Sequence, residues 1–445
     1  MSEIDKLCDN FFLETLRLEP ESAIMFGLQD KLDDPNIYSD FSPKGRDKYV
    51  RLCKNYIQKV NNIVCQDIKQ NIVKQQFLLV LNSSLNMEEK WHDSLRFMNN
   101  LFSPFQSLRT VFDLMPRHTT QDFVNVLNRL KNIPKAVDSY IESLELGLNE
   151  NIVNTKRQCL IIIEQIKTQL NSRTSFFQKM INEAKAENIN FEVIEKITKQ
   201  IELVFKSFVK LQQFLEIQYL PKANLDDAVG KQRYLNYSAH YVGQKIDLDE
   251  AYQWGVEQID EIIEQQFSLA KSFGVKSINK IQAIKQAAKI LNNLDNQAII
   301  GADNLQKYMQ NIADSTMKYL ITNNHFDIPK PIQKIQAMIV PTGDGVVYYT
   351  PPSADFSIPG RMWWSIPTGV KKQYKWNSKT TIFHEGVPGH HLQVGLQVYL
   401  KDKLNDWQRM GLLISGYAEG WALYAEKLMD EFGMLDNYEK FGMLD

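Results

Sequence analysis

Thr380-Thr-Ile-Phe-His-Glu-Gly-Val-Pro-Gly-His-His-Leu-Gln393 is the stretch that decides how this chain is read. An apolar run leads directly into His384-Glu385, as in the helix motif of zinc proteases. That motif needs two imidazoles converging on one metal, with a carboxylate beside the first to handle the proton of a bound water. Seven histidines occur in the chain, and His384, His390 and His391 fall within eight residues.

Spacing sets the first problem. The standard motif has its second histidine at i+4, where this chain carries Pro388. In an ideal helix His391, at i+7, would point the same way as His384 but sit about 10 Å along the axis, too far to share a metal through Zn–N bonds of about 2 Å. His390, at i+6, would point elsewhere. Pro388 changes this, because it has no N–H to give the His384 carbonyl and its ring crowds that carbonyl, while Gly389 tolerates unusual dihedrals. A Pro-Gly bulge inserting two residues would return His390 to the i+4 place. His384 and His390 are the favoured ligands, with His391 as competitor.

A third protein ligand is expected, since catalytic zinc sites usually offer three and leave the fourth position for water or substrate. Downstream lies Ser415-Gly-Tyr-Ala-Glu-Gly-Trp-Ala-Leu-Tyr-Ala-Glu426, a helical pattern in which Glu419 stands among small and aromatic residues. A carboxylate there is costly to bury unless paired or bound to a cation. Glu426, two turns on, is the alternate ligand or an acceptor for a ligand histidine. His92, His118, His240 and His325 have no acidic or histidine neighbours at ligand spacing and read as surface or core residues.

Outward from this motif, residues Glu3 to about Asn323 read as a succession of amphipathic helices. Ile194, Ile197, Ile201, Val204, Phe205 and Phe208 form one apolar stripe. Pro43, Pro104, Pro116, Pro134 and Pro221 mark helix boundaries, and Asp247-Leu-Asp-Glu is a helix start. The texture changes between Phe326 and Tyr374. Ile335–Val340 and Val346–Tyr349 read as strands joined in a hairpin by Thr342-Gly-Asp-Gly345, and Arg361–Ile366 as a further strand. Helical pattern resumes near Ser378, with breaks at Pro388 and at Lys403 to Asp406. The expectation is a mainly α, multi-helix fold with a small antiparallel sheet flanking a cleft, in which a helical region 1–325 and a sheet-plus-metal region 326–445 form one continuous catalytic unit. Tyr348, Tyr349, Arg361, Trp363 and Trp364 are candidates to line that cleft, where an edge strand could pair with an extended peptide. Tyr348, Tyr349, Arg361 and Tyr424 are the candidate substrate-binding residues, Tyr as an oxyanion stabiliser and Arg as a carboxylate partner.

Composition names no partner. Lys+Arg 51 against Asp+Glu 53 gives a net charge of −2, with no basic face for nucleic acid. Hydrophobic content of 44% with 23% charged residues is ordinary for a folded protein of 445 residues, and no apolar run approaches the ~18 residues of a membrane span. Cys8, Cys53, Cys65 and Cys159 make no disulfide framework or CxxC pair, and the N-terminus lacks a signal-peptide pattern, so a reducing cytoplasm is expected.

His384-Glu-Gly-Val-Pro-Gly-His-His-Leu-Gln393 together with Glu419-Gly-Trp-Ala-Leu-Tyr-Ala-Glu426 resembles the bacterial family long called domain of unknown function 885. Tyr348-Tyr-Thr-Pro-Pro, the Pro359-Gly-Arg segment and the closing Phe-Gly-Met-Leu-Asp also resemble its pattern. That family is thought to belong with the gluzincin-like metallopeptidases, mostly helical enzymes that include thimet oligopeptidases and angiotensin-converting enzyme. Laying their Gly-His-Ala-Leu over Gly389-His-His-Leu392 implies His390 as the second ligand, Glu385 as the general base and Glu419 as the third ligand of one zinc ion. Members usually continue on the order of a hundred residues further, through an Asp-Thr-Gly-x-His stretch, whereas this sequence stops at Asp445. The resemblance therefore implies hydrolysis of oligopeptides by a chain short of its C-terminal part. Its rivals are an inactive relative serving as a helical binding protein and a metal-dependent amidase or esterase.

Overall fold

The computed structural model describes residues 1–171, 173, 175–340, 347–367 and 369–445. Helices dominate, and the chain gathers into two compact units, Met1–His240 with Asn405–Trp407 and Tyr241–Leu404 with Gln408–Asp445. The mainly α expectation holds.

In the first unit the stripe read from the sequence lies on the helix Phe191–Phe214. Ile197, Ile201, Val204 and Phe208 are buried, and Ile194 and Phe205 pack against the same core. Phe208 meets Phe105 and Phe177 edge to face, with ring centroids 5.2 and 5.9 Å apart. Three of the marker prolines start helices: Pro43 and Pro104 open Pro43–Asn61 and Pro104–Leu114, and Pro134 sits in the first turn of Ile133–Asn149. Their missing N–H would have had no helical partner there anyway. Cys8, Cys53 and Cys159 are buried free thiols, and Cys65 is a partly exposed one.

The second unit opens on Leu248–Ser272, whose cap Asp247 accepts from the N–H groups of Asp249 and Glu250. The texture change at 325/326 falls inside this unit, because the helix Ala302–Thr322 packs on the sheet that follows. Its Gln306 and Gln310 side chains donate to the carbonyls of Ala337 and Ile335.

The strands are β1 (Ala298–Ile300), β2 (Ile335–Val340), β3 (Val347–Thr350), β4 (Gly360–Ser365) and β5 (Lys372–Tyr374). The hairpin expectation is corrected here. β2 and β3 do not pair, because β4 lies between them, parallel to β2 and antiparallel to β3. The sheet is therefore mixed, not antiparallel, and the expected turn Thr342–Gly345 lies outside the described residues. In the central β4, Met362, Trp363 and Trp364 are all apolar and buried, a run suited to a strand covered on both faces. β1 and β5 form a separate antiparallel ribbon.

β5 runs straight into the His-Glu helix, Lys375–Glu385. His390–Tyr399, Ser415–Glu431 and Asn437–Met443 follow, with breaks where Pro388 and residues 403–406 foretold them. No helix among the described residues is long and apolar enough to cross a membrane.

Candidate metal centre

The break at Pro388 builds the site. The chain does not bulge within one helix, as the spacing suggested. The His-Glu helix ends at Glu385, residues Gly386–Gly389 turn a corner, and a second helix begins on His390. The Gly389 N–H donates to the Phe383 carbonyl at 2.9 Å, and the His391 N–H to that of Gly386 at 3.0 Å. A Cβ on Gly389 would stand 1.9 Å from the His384 carbonyl oxygen, so only glycine lets the corner fold this tightly onto the helix end. Trp421 of Ser415–Glu431 braces the corner, its indole N–H donating to the Pro388 carbonyl at 2.9 Å.

This corner carries His390 back beside His384. The two rings lie at 88° with centroids 4.9 Å apart. Glu419 completes the group: its carboxylate is 3.1 Å from His384 Nε2 and 3.7 Å from His390 Nε2. One donor atom from each of His384, His390 and Glu419 lies within 4.8 Å of the others, a set whose two imidazoles and one carboxylate suit a zinc ion. Glu419 is 56% exposed along its side chain, which leaves the group open to solvent on one side.

Glu426 occupies a different place from Glu419. Its Oε1 accepts from His384 Nδ1 at 2.9 Å, which fixes that ring and leaves Nε2 facing Glu419. Burial pulls the His384 pKa down, but the Glu426 hydrogen bond and the charges of Glu385, Glu426 and Glu419 outweigh it and raise the net value. His390 is shifted down by burial and by His384.

Glu385 is 7% exposed, and its Oε2 has no hydrogen-bond partner. Burial, reinforced by Glu419 and Glu426 and opposed by His384, pushes its carboxyl up to about 7. A buried, unpaired carboxylate oxygen is expensive, and native proteins keep such groups where a ligand or reaction uses them.

His391 points away from this group. Its Nε2 lies 2.6 Å from the Ile332 carbonyl and its Nδ1 3.0 Å from the Tyr349 hydroxyl, so both ring nitrogens are engaged elsewhere. Burial holds its pKa down to about 4, keeping the ring neutral. A carbonyl only accepts, so Nε2 carries the proton and Nδ1 receives that of Tyr349. The Tyr349 proton is thus committed to His391, away from His384 and His390.

Tyr348 stacks on Trp363, with ring centroids 6.0 Å apart, and Arg361 donates to Gln336 at 3.0 Å. By strand alternation these side chains take the sheet face opposite Met362 and Trp364, and those two pack with Ile382 of the His-Glu helix. The sheet face toward the metal helices is therefore apolar core, and Tyr348, Arg361 and Trp363 stand on the other. Tyr424 is exposed beside Trp421. Sequence reading missed the bracing role of Trp421, although its place two residues after Glu419 was the available signal. The remaining histidines have local partners: His92 faces Arg46, His118 faces Glu187, His240 faces Ser83 and His325 stacks on Phe432.

The sequence pattern described as "Bacterial protein of unknown function (DUF885)" matches residues 20–445. No curated protein matches the chain. Among solved structures the chain is similar to "the putative lipoprotein from Colwellia psychrerythraea", with a TM-score of 0.84 at 18% identity over 99% of this chain and 80% of that one. It is also similar to "a putative lipoprotein of unknown function from Shewanella oneidensis", with a TM-score of 0.66 at 14% identity over 100% and 81%. At such identities the likeness concerns the fold alone.

Proposed function

The chain belongs to this DUF885 family of bacterial proteins, whose description assigns no reaction, and from the site itself we propose a zinc-dependent peptidase of the gluzincin-like kind, acting on oligopeptides. The observation that carries the reading is the convergence of His384, His390 and Glu419 beside a buried Glu385 with an unpaired oxygen. The peptide as substrate rests on the likeness of His384-Glu385 and Gly389-His-His-Leu392 to the His-Glu and Gly-His-Ala-Leu of gluzincin-like enzymes.

His384, His390 and Glu419 would hold the metal, and Glu426 would keep the His384 ring in the orientation that presents Nε2. Bound there, zinc supplies Lewis acidity toward a carbonyl and lowers the pKa of water to about 7. Glu385 Oε2 is free to take a proton from the attacking water and to return it to the departing amine nitrogen. Its raised pKa suits both halves of that task, since a group titrating near neutrality gives up a proton as readily as it takes one.

The test begins with metal analysis of the purified chain after incubation with zinc, then peptide-library hydrolysis. One zinc per chain is expected, lost in His384→Ala. In Glu385→Gln the zinc should remain while hydrolysis falls on the order of 10²–10⁴-fold. A wild-type chain that takes up no zinc overturns the reading. Zinc uptake with no cleavage of peptides, esters or amides would leave a metal-binding helical protein instead.

A further inference from the structure

Two features that the sequence singled out have no part in that chemistry: His391, and the glycine of Pro359-Gly-Arg. They meet in one place. His391 is 1% exposed and lies between the Ile332 carbonyl and the Tyr349 hydroxyl. Gly360 sits against the Tyr349–His391 hydrogen bond, where a Cβ would fall 2.0 Å from the Tyr349 oxygen and 2.6 Å from His391 Nδ1. Any side chain at 360 would drive the pair apart.

We infer that His391, Tyr349 and Gly360 form a latch that sets the rotational phase of the His390–Tyr399 helix and thereby aims His390 at the metal centre. The inference rests on the metal reading above. Successive residues of a helix are turned by about 100° about its axis. Fixing the direction of His391 therefore fixes that of His390. His390 is the first residue of its helix and follows a corner, so no preceding helical turn holds it in place. The phase is set from outside: by Ile332 in the short helical turn Lys330–Gln333, by Tyr349 on β3, and by the space Gly360 leaves on β4. The His391 backbone adds its own tie to the Gly386 carbonyl. His391 is thus a positioning residue, and the two adjacent histidines divide the work: one to face the metal, the other to orient it.

The test compares wild type, Tyr349→Phe, His391→Gln, their double variant and Gly360→Ala by three readouts. These are zinc affinity, the visible spectrum of the cobalt-substituted protein, and hydrogen exchange of the amides at 390–393. Tyr349→Phe, the mildest change, should weaken zinc binding by about 10-fold, alter the cobalt spectrum and speed exchange in that segment, with the rest of the protein unchanged. The double variant should lose no more than His391→Gln alone, since both remove one interaction. Unchanged affinity, spectrum and local exchange in both Tyr349→Phe and Gly360→Ala would overturn the latch. Should the wild type bind neither zinc nor cobalt, the metal reading falls by itself. Exchange would still judge the latch, with faster exchange in the variants supporting it and unchanged exchange overturning it.

Discussion

The first unit and the helices around His384 bury polar groups on opposite terms. In the first unit the core is hydrocarbon, and its buried phenols have partners: Tyr38 meets the carbonyl of Leu108 at 3.0 Å, Tyr140 that of Phe97 at 2.6 Å, Tyr56 the Glu14 carboxylate and Tyr219 the Asn154 N–H, both at 2.7 Å. Thr15 Oγ1, Arg96 Nε and Gln158 Oε1 are buried neutral or donor atoms without a partner, and Arg129 is a further exception. Its Nη2 meets the Pro35 carbonyl and its guanidinium lies over the Tyr38 ring, while Nε and Nη1 have no partner. Around His384 three carboxylates and two imidazoles crowd together, and one buried carboxylate oxygen has no partner. What sets the second region apart is that its unpaired atom belongs to a carboxylate among other charged groups, an arrangement that costs stability.

The comparison is tested most severely at Phe208. Phe208→Ala should cost about 3–5 kcal/mol in a denaturant titration, because it empties a fully buried site facing two other rings. The folded fraction should bind zinc as the wild type does. A variant whose folded molecules had lost zinc affinity would show that the two regions are not independent in this respect.

Glu426→Gln comes next in size and acts only at the site. An amide is a weaker acceptor than a carboxylate for the His384 Nδ1–H, so zinc affinity should fall about 10–100-fold by competition titration against a chelating dye. Glu426 is largely buried and its charge has little water around it, so stability in the absence of zinc should change far less. An unchanged affinity would mean that the His384 ring is held by packing alone.

How far the sequence reached depends on whether a feature is local. Helix stripes, the Asp247 cap and the breaks at Pro388 and 403–406 depend on neighbours a few residues away, and all were legible. The pairing of His390 with His384 was half legible. Spacing showed that a continuous helix could not bring them together, and Pro388-Gly389 showed where it would yield, but the yielding took the form of two helices and a corner. That outcome depends on Trp421, 33 residues beyond Pro388, holding the corner from another helix. Strand order was misread for the same kind of reason. β2 and β3 are sequence neighbours around a turn-like Gly-Asp-Gly, yet β4, which follows both in the chain, pairs with each and takes the place between them. Phe-Gly-Met-Leu-Asp occurs twice, at 432–436 and at 441–445, and shows the limit of pattern alone. In its first copy Gly433 has φ +73° after a helix end and Asp436 caps the next helix. In its second, Gly442 packs against the Trp376 carbonyl at the start of the His-Glu helix. Identical words serve different contacts.

The smallest expected effects draw the contrast most cleanly, because they should differ in sign. Glu385→Gln removes a charge from a buried position whose Oε2 has no partner, so the zinc-free protein should gain about 1–2 kcal/mol at neutral pH while losing hydrolysis. Tyr140→Phe removes a buried hydroxyl that is satisfied and leaves the Phe97 carbonyl unpaired, so it should lose about 1 kcal/mol. Both changes are nearly isosteric and both lessen buried polarity, so solvent transfer by itself would stabilise each. Only the presence of a partner in one case and its absence in the other reverses the sign. Thermal melts of the two variants in chelator decide the matter: melting temperatures moving in the same direction would mean that Glu385 is not held at a cost, and the strongest stability argument for a reactive carboxylate would be lost.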